Sequence, residues 1–203
     1  GVGSGKSRTA LAYYGKDLDD NHAMMPLYII TTAKKRDSGE WVEECKPFWI
    51  PYIGELTIDS WNNIGKYVGV ANAFFIFDEQ RVVGSGAWVK SFLKIVKNNR
   101  WILLSATPGD TWKDYIPVFV ANGFYKNRTE FTREHIIYSN FTSFPKIDRY
   151  VGTKKLERLR DSILVTMDYT SKAEREYKDI YTLYDPSMYK SIQRLQWNPW
   201  TEK

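Results

Sequence analysis

Cysteine and histidine are almost missing from this sequence. Cys45 is the only cysteine in 203 residues, which excludes an internal disulfide framework and a cysteine-based zinc site within the chain. His22 and His135 are the only histidines, too few for a histidine-rich metal centre. No apolar run approaches the ~18 residues that a membrane span needs. The amino end lacks the charged-then-apolar form of a secretory signal. Internal repeats and low-complexity segments are absent as well. These gaps predict a reducing compartment, hence the cytoplasm, and no membrane partner.

What is present suffices for a core. Apolar residues make up 43% and aromatics 16%, a composition that disfavours disorder. Twenty-nine basic residues against 24 acidic ones leave a formal charge of +5, which permits a polyanionic partner without establishing one. Eight Trp, 14 Tyr and 10 Phe serve mainly as buried area, with Trp61 and Trp112 as candidates for base stacking.

Short apolar runs alternate with polar, helix-like stretches over the first two-thirds of the chain, the habit of an α/β sheet. Strands are predicted at 27–32, 56–58, 74–77 and 101–104, parallel and buried on both faces. Helices are predicted after Gly5, near 40–45 and over 88–97, with a further strand at 136–138. Beyond about Asp148 the texture changes. Leu156, Leu159 and Ile163 have helical spacing, and 163–167 reads as a strand. Ser171 and Glu174 have capping-box spacing, 178–184 reads as a strand, and Asp185–Pro186 opens a helix through about Leu195. The predicted division is 1–170 and 171–203.

Three segments carry chemistry. The chain opens Gly1-Val2-Gly3-Ser4-Gly5-Lys6-Ser7, the second half of a Walker A phosphate loop. Glycines let several N–H groups point at one phosphate, and the helix that follows adds its positive end. Gly3, Ser4, Gly5, Lys6 and Ser7 would hold the nucleotide, with Lys6 on the β- and γ-phosphates and Ser7 on magnesium. The first glycine of the full pattern falls before residue 1, and so does the feeding strand. This predicts a segment of a longer protein, with a gap in the middle of its sheet. Next, an apolar run at 73–77 ends in Asp78-Glu79-Gln80-Arg81. Asp78 would hold magnesium, and Glu79 would orient and deprotonate the attacking water. Third, 101–104 leads into Ser105-Ala106-Thr107-Pro108, whose hydroxyls could bond the carboxylates and report nucleotide state.

Gly3–Ser7, Phe77–Gln80 and Ser105–Pro108, in this order, resemble motifs I, II and III of superfamily 2 helicases and translocases. The likeness is to phage-type DEAD/DEAH-like proteins related to the Swi/Snf translocases. It implies a RecA-like P-loop domain with a mostly parallel sheet flanked by helices. That domain would lack its first strand and be followed by the start of a second lobe. It also implies ATP and Mg2+ as cofactors, Lys6 and Glu79 in catalysis, and Ser105 and Thr107 in coupling. Thr32, Lys34 and Lys35 sit where motif Ia contacts a nucleic-acid backbone, and Ser60 lies in a looser motif Ib region. Hydroxyls and lysines at a strand end bind phosphates without reading sequence. The implied partners are nucleic acid, DNA above all, and a second RecA-like lobe of the parent chain. If the gene is phage-borne, the implied location is a bacterial host's cytoplasm. Arg81 departs from the family pattern, and the second lobe's arginine fingers are missing. Such fingers supply ~10³–10⁵ in rate, so this segment alone is expected to bind nucleotide weakly and turn it over slowly. Two other readings stay open: a phage terminase-type packaging ATPase, and a non-catalytic DNA or protein interaction module.

Overall fold

A computed structural model describes residues 5–21, 25–50, 55–78, 82–105, 109–140, 144–165, 178, 183 and 185–195. Its centre is a four-stranded, all-parallel sheet in the order β2-β1-β3-β4. The strands are β1 (Leu27–Thr31), β2 (Leu56–Ser60), β3 (Phe74–Asp78) and β4 (Arg100–Leu104). Around them lie α1 (Lys6–Asn21), α2 (Ala33–Asp37), α3 (Glu40–Cys45) and α4 (Ala87–Ile95).

Strand alternation sorts the core into two layers. Leu27, Ile29, Phe74, Ile76 and Leu104 face α1 and α3, against Ala10, Leu11, Tyr14, Trp41 and Cys45. Ile30, Phe75 and Phe77 face the other way, against Trp61, Ile64, Val89, Phe92 and Ile95. Every residue of β3 is buried, so its side chains must be accepted on both faces, as in a sheet covered on both sides. Phe75 stacks on Phe77 at 5.6 Å, and Phe92 meets Phe77 edge-on at 5.0 Å. Asn99 fixes the turn into β4: its amide donates to the carbonyls of Val70 and Ile95 and accepts from the Ala73 N–H.

The four predicted strands and the three predicted helices all form, with ends moved by a residue or two. The predicted gap does not: β3 pairs directly with both β1 and β4, so the described sheet is continuous. The lysine-rich stretch after β1 forms the short helix α2, capped where the Thr32 hydroxyl accepts from the Lys35 N–H.

A smaller core follows. It is built from α5 (Ile116–Ala121), α6 (Arg128–His135), the antiparallel pair β5 (Ile136–Tyr138) and β6 (Ile147–Tyr150), and α7 (Thr153–Ile163). Ile116, Phe119, Tyr125, Phe131, Ile136 and Leu156 fill it. His135 is buried there between the Tyr125 hydroxyl at 2.7 Å and the Val151 carbonyl at 2.8 Å, which occupies both ring nitrogens. Gly152 stands against that ring with φ +67°, where a Cβ would come within 3.2 Å of it. The helix predicted from Leu156, Leu159 and Ile163 is α7. Residues 164–165 after it are not strand, which corrects the strand predicted at 163–167, whose last two residues lie outside the described ones.

The chain divides into two units, Gly1–Asp168 and Tyr169–Lys203. In the second, α8 (Pro186–Leu195) begins at the Asp-Pro pair. Asp185 Oδ1 accepts from the Ser187 N–H at 2.8 Å and its hydroxyl at 2.7 Å, and these bonds hold the carboxyl below its ordinary range. Lys178 and Leu183 are not in a strand, while the rest of the predicted strand and the capping box at 171–174 lie outside the described residues. No described helix is long and apolar enough to cross a membrane.

Candidate functional site

The direction of α1 decides whether the sequence motifs can meet. Its later residues lie against the strands' amino ends: Tyr14 donates to the Met25 carbonyl at 2.6 Å and packs on Phe74, and Asp17 pairs with Arg100. The start of α1 therefore points toward the strands' carboxyl ends. There Arg8 bonds Glu44 of α3 at 2.9 Å, and the same α3 carries Trp41 onto Asp78. Asp78 at the end of β3, Ser105 after β4, Thr32 after β1 and Ser60 ending β2 thus share one sheet edge, and α1 begins on that side. Gly5 precedes the helix at φ +73°, a left-handed conformation that side chains with a Cβ disfavour, and its carbonyl accepts from Thr9. No acidic residue stands in the first turn of α1 to neutralise its positive end.

Asp78 is the most heavily engaged group at this edge. Because 74, 76 and 78 alternate together, its side chain turns to the α1/α3 face, where it is 2% exposed. One carboxylate oxygen, Oδ2, accepts from the Thr31 hydroxyl at 3.0 Å and from the Trp41 indole at 3.0 Å. The Lys35 ammonium lies 3.0 Å from the same oxygen. Trp61 donates its indole N–H to the Asp78 carbonyl at 2.9 Å. Strand alternation and a helix beside the strand end produce this arrangement. Nothing in the sequence marks Trp41 or Thr31 as partners, since a buried Trp and a strand-end Thr read as ordinary core.

Two of the four expected nucleic-acid contacts face inward instead. Lys35 points at Asp78 with its side chain 13% exposed. Ser60 is buried, and its hydroxyl accepts from Arg36 at 3.4 Å. Lys34 is exposed, and Thr32 caps α2. Of the stacking candidates, Trp61 is core, and Trp112 is half-buried under the Arg160 guanidinium, 5.5 Å from its ring. Gly3, Ser4, Glu79 and Thr107 lie outside the described residues.

Beside this edge, Asp59 anchors α2. It accepts from the Ser60 N–H at 2.7 Å, Asn63 at 2.8 Å, the Tyr67 hydroxyl at 2.7 Å and Arg36 at 3.3 Å. Burial acts to raise its pKa, but the bonds from Asn63, Tyr67, Ser60 and Arg36 outweigh it and bring it from 3.8 down to about 2. A carboxyl that ionises more readily folded than unfolded stabilises the fold above the unfolded value. That contribution, roughly 2 kcal/mol, is lost as pH falls from about 4 through 2. Urea midpoints at about pH 6 and about pH 3 will therefore differ more for the wild type than for Asp59→Asn. Cys45, buried in α3, carries no such role: burial, helped by the Glu44 charge, pushes its thiol up to about 12.

Among the described residues no cluster of three His, Cys, Asp or Glu side chains could hold a metal ion. Magnesium in phosphate sites needs less, since one or two carboxylates join phosphate oxygens and water. Asp78 offers one such carboxylate, at present held by the Lys35 ammonium, and Ser7 offers a hydroxyl in the first turn of α1. The chain matches no known family model and no curated protein sequence.

Proposed function

We propose that this chain is the motor lobe of an ATP-driven nucleic-acid helicase or translocase. The reading is supported by one observation above all: Asp78 and Ser105 follow one another along the carboxyl edge of a parallel sheet, and the helix that opens Lys6-Ser7 runs its later residues along the opposite, amino edge. Ligands of open α/β sheets bind at that edge. Lys6 and the first N–H groups of α1 would take the phosphates, and Asp78 with Ser7 would hold magnesium. Bound magnesium supplies positive charge to the phosphate oxygens during transfer. Glu79, next in the chain after Asp78, would set and deprotonate the attacking water. Ser105 and Thr107 would pass the state of the site to neighbouring loops. Lys34, exposed after β1, with Thr32 beside it, would meet the nucleic-acid backbone. A second RecA-like lobe would complete the site.

Mg2+·ATP binding measured by calorimetry tests this reading. Lys6→Ala removes a charge-assisted contact worth about 2–3 kcal/mol, so affinity should drop roughly 30–150-fold. Equal affinity in both proteins, or no binding in either, would leave the interaction-module reading in its place.

A further inference from the structure

From the contact between Lys35 and Asp78 we infer that Lys35 is a built-in counter-cation that must leave Asp78 before a divalent cation can be held there, and that its departure delivers a second positive charge to the polyanion-facing turn beside Lys34. The inference rests on the nucleotide-site reading and adds its regulation.

Lys35 and a divalent cation would compete for one buried carboxylate. The ammonium sits 3.0 Å from Oδ2, with the side chains of Lys35 and Asp78 only 13% and 3% exposed. Thr31 and Trp41 already occupy the same oxygen as donors. Two positive charges about 4 Å apart repel strongly in partly buried surroundings, and more when one is divalent. Both cannot sit at Asp78 without a large loss of affinity.

Lys35 also has a second place to go. Its ammonium lies 5.4 Å from the centre of the Trp41 ring, and the Glu40 carboxylate is 3.7 Å away and half exposed. A change of side-chain rotamer across the indole face moves the charge from Asp78 toward Glu40 and solvent. The backbone need not follow. Thr32 caps α2 at one end, and Arg36 ties the helix to Asp59 and Ser60. Once released, Lys35 stands one residue from exposed Lys34. Linkage makes this reciprocal: a polyanion that draws Lys35 outward vacates Asp78 and favours the metal.

Manganese binding in the presence of ADP, followed by electron paramagnetic resonance, provides the test. Lys35→Met should bind Mn2+ at least roughly tenfold more tightly than the wild type, because the competing cation is gone. Lys35→Arg restores the charge and should return affinity to the wild-type value. Unchanged or weaker affinity in Lys35→Met overturns the inference. Should that variant not fold, lysine 13Cε NMR of the wild type decides: the Lys35 resonance must shift on saturation with Mg2+·ADP, and a stationary signal overturns it. Lys6→Ala separates the two ideas. Binding of Mg2+·ADP that Lys6→Ala abolishes, with Lys35 indifferent, sinks the counter-cation and keeps the nucleotide site. Absence of binding in the wild type sinks both.

Discussion

Asp78→Ala should cost about 3–5 kcal/mol of folding stability, read from urea unfolding without nucleotide or divalent cation. The reason lies in what the substitution leaves behind. Lys35 keeps a largely buried ammonium with its nearest counter-charge removed, and Trp41 and Thr31 lose the acceptor for an indole N–H and a hydroxyl. Unmet buried donors are more damaging than the loss of the bond alone. Asp78→Asn keeps an oxygen for one donor and loses only the charge, so its loss should be smaller, about 1–3 kcal/mol. The double variant Lys35→Met/Asp78→Ala removes both charges and should recover part of the deficit. The cycle formed with the two single variants then gives a coupling of 0.5 to about 3 kcal/mol. Additivity within error would mean that the two side chains do not meet in solution.

A second large loss is expected one residue earlier. Phe77 is fully buried between Phe75, Phe92 and Trp61. Phe77→Ala should cost about 3–5 kcal/mol, the sum of lost burial and an unfilled cavity. Domains of ordinary stability hold about 5–15 kcal/mol, so calorimetric melting should show a much lower midpoint or a protein that no longer folds at 37 °C. Phe77→Leu keeps most of the volume and should lose less than half as much. Because Trp61 touches the Phe77 ring and donates to the Asp78 carbonyl, Phe77→Ala should also loosen the strand end that presents the acid. A Phe77→Ala protein as stable as the wild type would contradict the packing described.

The sheet was the most legible part of this protein, for a physical reason. Strands buried on both faces must be apolar throughout, and 74–77 announces that without help from distant residues; 101–104 and 56–58 read the same way, yet β4 and β2 end the described sheet and are mostly half-buried. Asp185–Pro186 was equally plain, because a cap and a proline act within one helical turn. The small core around Phe119 and His135 was harder. Its helices α5 and α6 are only 6 and 8 residues long, and they hold together through contacts across the chain rather than through a strong period of their own. At the site, Asp78 was readable as the acid that ends an apolar run, and it is buried at the end of β3. The inward turn of Lys35 was not readable. Lys34 and Lys35 are chemically identical, and only the cap at Thr32 and the place of β3 beside β1 decide which of them meets the acid.

The clasp around Asp78 also bears on how such a sequence changes through inheritance. A descendant under no demand for ligand binding would still need a carboxylate there to answer a lysine, an indole and a threonine. Selection for a sound fold alone would preserve the aspartate, so its survival in a lineage is by itself no sign of a ligand site.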